Sequence, residues 1–270
     1  MSNLVEFNKT LANPRTQNYL TDVLREKKNS FVSNVVALVS NSTALQACEP
    51  LSIIYAGIKA TALDLPLDQN LGFAYVIPYK DNKANKTVAQ FQIGYRGLIQ
   101  LAQRSGQFET INVRDVREGE IISEDFVSGK IQFEKLKENR EQAKIIGYVA
   151  YFKLINGFEK MSYWTIEEIH QHGKKFSQTF KKGYGLWNDD FEAMAKKTVI
   201  KLLLSKYAPM SVDMVGAIKS DQSVISDKGE EYIDNQEDNS EQNQKVVDIF
   251  EQAIGQEVVQ EEEVIEENKE

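Results

Sequence analysis

The sequence predicts an α+β fold: a helical N-terminal part, a small antiparallel or mixed β-sheet with a β-hairpin, further packed helices, and a disordered acidic C-terminal tail. Three observations predict it. Helix-start signals and apolar residues at helical spacing fill roughly residues 1–65; the middle of the chain sets β-branched and aromatic residues between turn signals; and hydrophobic periodicity stops near Lys219.

Pro14 opens a helical stretch to about Asn29, FVSNVVALVS supplies a second, and Pro50, at a favoured first helical position, starts PLSIIYAGIKATALDL. GFAYVIPYK and VAQFQIGY read as strands joined by the polar link DNKANK, a hairpin. RGLIQLAQRSG spaces Leu98, Leu101 and Ala102 as a helix that Gly106 stops. TINVRDVREG and KIQFEKL look like further strands, and IIGYVAYFKL and EKMSYW flank Asn156-Gly157, a strong hairpin signal. Thr165 to Glu168 (TIEE) and Asp189 to Glu192 (DDFE) each have the form of a capping box. The second opens the long helix FEAMAKKTVIKLLLSKY, which Pro209 closes from just beyond its end.

Composition narrows the class. With 270 residues, 41% hydrophobic, the chain can bury a real core. Cys48 is the single cysteine and has no disulfide partner, MSNLVEFNKT has no leader-like apolar run, and no apolar stretch approaches the ~20 residues that span a bilayer, so a cytoplasmic protein without membrane contact is expected. The formal net charge is -8, but residues 219–270 hold 17 acidic and 4 basic residues, a net of -13, which leaves residues 1–218 at +5. The expected domains follow: a core, 1–218, and an acidic, mostly disordered tail, 219–270, in which VVDIFEQAI (about 246–254) has the spacing of a short amphipathic helix, read either as a segment that docks on a partner or as a fraying turn of a solvating tail.

The mildly basic core gathers its charge at residues 174–187, KKFSQTFKKGYGLW. Lys174, Lys175, Lys181 and Lys182 alternate there with Phe176, Phe180, Tyr184 and Trp187, and the stretch runs into the long helix, where Lys197 and Lys201 stack at i, i+4 as a basic stripe apart from the apolar face of Phe191, Ala195, Val199, Leu202 and Leu203. A further series, Lys80, Arg96, Arg104, Arg114 and Arg117, falls on the sheet and its edges. Cations that neutralise phosphates and rings that stack on bases are what single-stranded nucleic acid requires, so these residues, with Phe180, Tyr184 and Trp187, are the candidate nucleic-acid contacts. Core filling is the competing account of the rings, and dipole complementation with solvent exposure that of the helix lysines.

Several blocks in order then resemble the RecT family of phage single-strand annealing recombinases: LGFAYVIPYK (71–80), AQFQIGYRGLIQLAQRSGQ (89–107), VREGE (116–120), HGKKFSQTF (172–180) and W-x3-F-x2-MAKKTVIKLLL (187–204), with Pro209 after them. The resemblance covers about residues 30–215. It implies ATP-independent annealing of complementary strands in phage homologous recombination, a β-sheet core with packed helices lining a DNA groove for which the residues above are the candidate DNA contacts, a homo-oligomeric ring or helical filament on single-stranded and annealed duplex DNA, and a companion 5′ to 3′ exonuclease of RecE-like type. Contacts to that exonuclease or to the host single-strand-binding protein fall to the tail.

Enzymatic alternatives find little in the chain. His170 and His172, the two histidines, sit at i, i+2 and point to different helix faces; there is no G-x4-G-K-[ST] and no G-x-G-x-x-G; and the helix start accounts for Asp189-Asp190, the one pair placed to hold Mg²⁺. No catalytic centre and no required cofactor is expected, with Mg²⁺ left open for the annealed complex. Two other readings stand beside annealing: a protein that coats single-stranded DNA or RNA without pairing it, which would slow the annealing of complementary oligonucleotides, and a phage scaffolding protein, whose assembly would survive nuclease and high salt.

Overall fold

The computed structural model describes residues 3–68, 70–81, 85–226 and 229–231. Five helices come first: α1 (Asn3–Leu11), α2 (Pro14–Leu24), α3 (Lys28–Ser40), α4 (Thr43–Gln46) and α5 (Pro50–Ala62). Pro14 and Pro50 do stand at helix starts, and the Asn13 side chain caps α2 by accepting from the Arg15 amide. The helix expected to reach Asn29 instead ends at Leu24, because Arg25 turns to positive φ (48°) and a short 3-10 turn, Arg25–Lys27, redirects the chain into α3.

Strands β1 (Ala74–Asp81) and β2 (Lys86–Ile93) form the expected antiparallel hairpin. Helix α6 (Tyr95–Arg104) follows, stopped by Gly106 at φ +68°. Then come β3 (Phe108–Arg117), the small hairpin β4 (Ile121–Asp125) and β5 (Lys130–Phe133), and the long hairpin β6 (Ile145–Leu154) and β7 (Glu159–Thr165), turned at Gly157 with φ +88°. β3, β6 and β7 make an antiparallel three-stranded sheet with β6 in the centre. The chain continues through α7 (Ile166–Phe176), α8 (Gln178–Lys181), α9 (Leu186–Asp189), α10 (Phe191–Tyr207), α11 (Val212–Ser220) and a closing pair of short strands, β8 (Val224–Ser226) and β9 (Gly229–Glu231). This is the mixed, antiparallel α+β architecture the sequence predicts.

Two packed layers share one core. α5 lies on the β1–β2 hairpin, α10 lies across the three-stranded sheet, and α6 bridges them against α10 and β3. Along β6 the residues Tyr148, Ala150 and Phe152 alternate inward, all buried, while Val149 and Tyr151 turn to the other face, as a period of two requires. Thr165 caps α7 in a full capping box with Glu168. For α10 the cap is Asp190, which accepts from the Ala193 amide; Asp189 closes α9 one residue earlier than the DDFE pattern suggests.

The largest departure from expectation joins the end of the body to α10. Lys197 is 5% exposed and Lys201 half-buried; their ammonium groups lie 2.7 and 2.6 Å from the two carboxylate oxygens of Asp221, itself 2% exposed. The same carboxylate accepts from the Ile93 amide at 3.1 Å, and on either side of it Gln222 N–H donates to the Phe91 carbonyl and Phe91 N–H to that of Ser223. The two lysines are therefore no exposed stripe: a buried acid 20 residues or more along the chain claims both. Ser220 and Ser223 are also fully buried, and Glu230 receives Lys59 at 3.2 Å. Compact packing runs to Glu231, so the core extends 13 residues past the boundary placed at 218. Redrawn there, residues 1–231 carry +3 and residues 232–270 carry -11. The 246–254 segment lies outside the described residues.

Burial pushes the Asp221 carboxyl up, but Lys197 and Lys201 outweigh it and hold it below the ordinary carboxylate range. Stability from this group is present above the unfolded carboxylate value, about 3.9, and is lost as pH falls through the lower folded one. Asp221→Asn strands Lys197 as an unpaired buried charge and should cost about 3–5 kcal/mol at neutral pH by urea denaturation, a gap that narrows below about pH 4 as the wild-type carboxyl protonates. Truncation after residue 218 should destabilise likewise, whereas truncation after Glu231 should leave the melting temperature unchanged.

Candidate nucleic-acid interface

A groove opens where the first turn of α6 faces the first turns of α10. Its α6 wall depends on two close backbone approaches. The Gly94 amide donates to the Phe73 carbonyl at 2.9 Å, and a Cβ on Gly94 or Gly97 would sit 2.1 Å from the Gly72 carbonyl oxygen or 2.2 Å from that of Phe73. Only hydrogen fits at those points, and the close approach sets Tyr75, Tyr95 and Arg96 side by side. Arg96 donates to the Leu71 carbonyl and the Tyr95 hydroxyl, at 3.2 and 3.3 Å, and its guanidinium carbon lies 5.8 Å from the Tyr95 ring centre.

The α10 wall adds Asp190, Ala193 and Lys196, and the groove encloses about 340 Å³. The Lys196 ammonium lies 5.7 Å from the centre of the same Tyr95 ring and is paired with Glu192 one turn earlier. Two cations thus attend one aromatic ring, a combination of charge and ring that suits a phosphate beside a base. Burial, with the Asp190 carboxylate second, pushes the Tyr75 phenol above its ordinary value, so its hydroxyl keeps its proton and remains a donor.

The basic segment 174–187 is not one loop. It comprises the last turn of α7, all of α8, a turn through Gly183 (φ +80°) and Gly185 (φ +86°), and the start of α9. Its rings turn inward. Phe180 stacks on His170 at 5.6 Å and on Trp187 at 5.2 Å, His170 stacks on Phe191 at 4.6 Å, and Trp187, 5% exposed, reaches Phe191 at 6.0 Å. Gly173 admits this cluster, since a Cβ there would lie 2.9 Å from Phe180 and 3.2 Å from Trp187. Lys174, Lys175, Lys181, Lys182 and Tyr184 stay exposed on the outside. Phe180 and Trp187 therefore fasten α7, α8 and α9 to the start of α10, and the lysines face solvent. His172 is separate, edge-on to Trp164 and beside Phe176, and burial, then Lys201 and Lys175, lowers it to about 4, which keeps it neutral. Among the described residues no cluster of three or more potential metal-binding side chains converges.

The remaining candidates divide. Lys80 is exposed on β1, and Arg114 is exposed on β3 beside a hollow of about 460 Å³ with Tyr151 and Phe133. Arg104 donates to the Leu63 and Asp64 carbonyls at 2.7 and 2.6 Å, finishing the end of α5. Arg117 pairs with Asp115 at 2.8 Å and donates to the Glu141 and Ala143 carbonyls, next to the Glu120–Arg140 pair at 2.6 Å. Arg104, Arg117, Lys197 and Lys201 are thus engaged within the fold; Lys80, Arg96, Arg114 and the four segment lysines reach the surface. Sequence reasoning missed Tyr75, Tyr95 and Lys196. The signal was present for the tyrosines, since both fall in the resembling blocks, Tyr95 directly after Gly94. For Lys196 against Lys197 none existed, because adjacent helix positions differ by 100° and only Asp221 decides which turns inward.

Fold and groove together define an α+β protein with ring-and-cation chemistry on its surface, the chemistry of polyanion binding. The family model for the RecT family matches residues 29–240. The chain is 40% identical over 233 residues to the uncharacterized protein YqaK of Bacillus subtilis (strain 168), covering 86% of this chain and 76% of that one. It is 35% identical over 184 residues to Protein RecT of Escherichia coli (strain K12), covering 66% and 65%. The chain belongs to the RecT family, whose members act in DNA recombination and annealing. No helix among the described residues is long and apolar enough to cross a membrane.

Gly94→Ala and Gly97→Ala should each cost at least ~1–3 kcal/mol, as overpacking does, and shift the groove wall; thermal melting checks the first effect and the near-ultraviolet signal of the tyrosines the second. Gly106→Ala, where a Cβ meets nothing within 4 Å, should cost only the strain of a positive φ.

Proposed function

We propose that this protein anneals complementary DNA strands without ATP, as a homo-oligomer arrayed along the strand, in phage homologous recombination in the cytoplasm. The observation that carries the reading is Tyr95 with Arg96 and Lys196 beside its ring at the mouth of the α6–α10 groove. In this reading Arg96, Lys196 and the exposed Lys174, Lys175, Lys181 and Lys182 hold phosphates. Bases stay unpaired and accessible, and complementarity between strands supplies the specificity. Each subunit binds weakly, and side-by-side assembly makes the binding cooperative. Lys80 and Arg114 extend the cationic surface on the sheet edges. Lys197 and Lys201 serve by holding α10 in place. The tail, with 246–254, is the proposed docking site for a 5′ to 3′ exonuclease that supplies the single strand and for a host single-strand-binding protein.

Mixing two complementary fluorescent oligonucleotides with the protein tests the reading: faster pairing supports it, and slower pairing would identify a coating protein instead. Replacing Lys174, Lys175, Lys181 and Lys182 with alanine should leave the melting temperature intact and flatten the slope of log affinity against log salt by about 0.7 for each phosphate no longer neutralised. Deleting residues 232–270, a segment of net charge -11, should raise affinity for single strands at low salt, and the gain should vanish at high salt.

A further inference from the structure

Behind the α6–α10 groove lies a second, smaller cavity of about 170 Å³ that shares Tyr75, Tyr95, Asp190 and Ala193 with it. Its own lining is of another kind. Leu186 and Met194 make it apolar, Gln92 presents a carboxamide, and Lys197 closes it. Gln92 is 9% exposed and lines the cavity, and no hydrogen bond engages its carboxamide among the described residues, which leaves its donors and acceptor open to an occupant. The cavity is too small for a drug-sized ligand, which needs ~300 Å³ or more, and has the room of five or six waters at ~30 Å³ each, enough for one planar heterocycle.

We infer that this inner cavity takes a single unstacked nucleobase of the bound strand, whose phosphate stays outside at Arg96 and Lys196. The inference rests on the proposed strand-binding function and adds to it a base-holding subsite. The fit is chemical on each side. Leu186 and Met194 offer apolar surface to the ring faces, and the Gln92 carboxamide supplies one acceptor and two donors to a base edge, the pairing that glutamine makes with adenine in duplex recognition. The Tyr75 hydroxyl adds a donor where the two cavities meet. The two cavities adjoin, since Tyr75, Tyr95, Asp190 and Ala193 line both. A base lodged there is withdrawn from pairing while its neighbours remain free, so each subunit would pin one nucleotide of the strand and set its register.

The test compares three labelled probes of equal length by anisotropy: oligo-dT, oligo-dA, and an abasic deoxyribose-phosphate strand with the same number of phosphates. Wild-type protein should bind the base-bearing strands about ten-fold or more tightly than the abasic one, given the worth of one buried base, at equal salt slopes. Leu186→Trp fills the inner cavity from a partly exposed position that does not line the outer groove, and it should bring oligo-dT and oligo-dA down toward the abasic strand while leaving the abasic affinity unchanged. Gln92→Met keeps the volume and removes the carboxamide; it should shrink the preference for bases even if Leu186→Trp fails to melt cooperatively. Equal binding of abasic and base-bearing strands by wild type, or an undiminished preference in the folded variants, overturns the subsite and leaves the strand-binding function standing. Absence of binding to any strand, with no acceleration of annealing, overturns both.

Discussion

One buried carboxylate holds the body together. Asp221 stands at the end of α11, accepts from the β2 backbone, and pairs with two lysines on α10, so it ties the hairpin layer to the helix that covers the three-stranded sheet. Its geometry explains why an ion pair so deep is tolerated. Each oxygen has its own ammonium, and one also takes an amide, so little of its hydrogen-bonding capacity is left unmet. Without it the rotation of α10 would be set by an almost evenly apolar helix surface, on which Met194, Thr198, Ile200 and Leu204 are as buried as Val199 and Leu203. Asp221 selects one rotation, and that rotation turns Lys196 outward toward Tyr95.

The groove depends on that choice and on glycine. α10 contributes one wall through its register against Asp221; α6 contributes the other because Gly94 and Gly97 let its first turn press on the backbone of residues 72–73. Meanwhile the stacked rings of His170, Phe180, Trp187 and Phe191 fix the segment that enters α10. The charged surface is therefore carried by parts that are themselves rigid, and the flexible lysine side chains are added at the end.

Much of the fold was legible. Pro14, Pro50, the TIEE box, Asn156-Gly157 and Gly106 each act through local backbone chemistry, and each does in the structure what its chemistry demands. Boundaries that depend on tertiary packing were not legible: the break at Arg25, the cap at Asp190 in place of Asp189, and the inclusion of residues 219–231 in the body. The last is instructive, because SDQSVIS reads as polar linker by composition, yet Asp221 is polar in order to meet Lys197. For the candidate site, composition located the lysines of 174–182 and Arg96 on the surface correctly but could not separate Lys196 from Lys197, nor see that Arg104 and Arg117 finish a helix end and a loop. Charge counts residues; partners are assigned by folding.

Lys197 belongs at once to the ion pair that fixes α10 and to the lining of the inner cavity. Folding and occupancy of that cavity are consequently linked through one ammonium group, and a linked equilibrium runs in both directions: whatever settles against Lys197 raises the free energy of unfolding by RT ln(1 + [L]/Kd), and whatever loosens Asp221 weakens the cavity's hold on its occupant. The protein's melting curve is thus also a binding isotherm, readable without any label on the ligand.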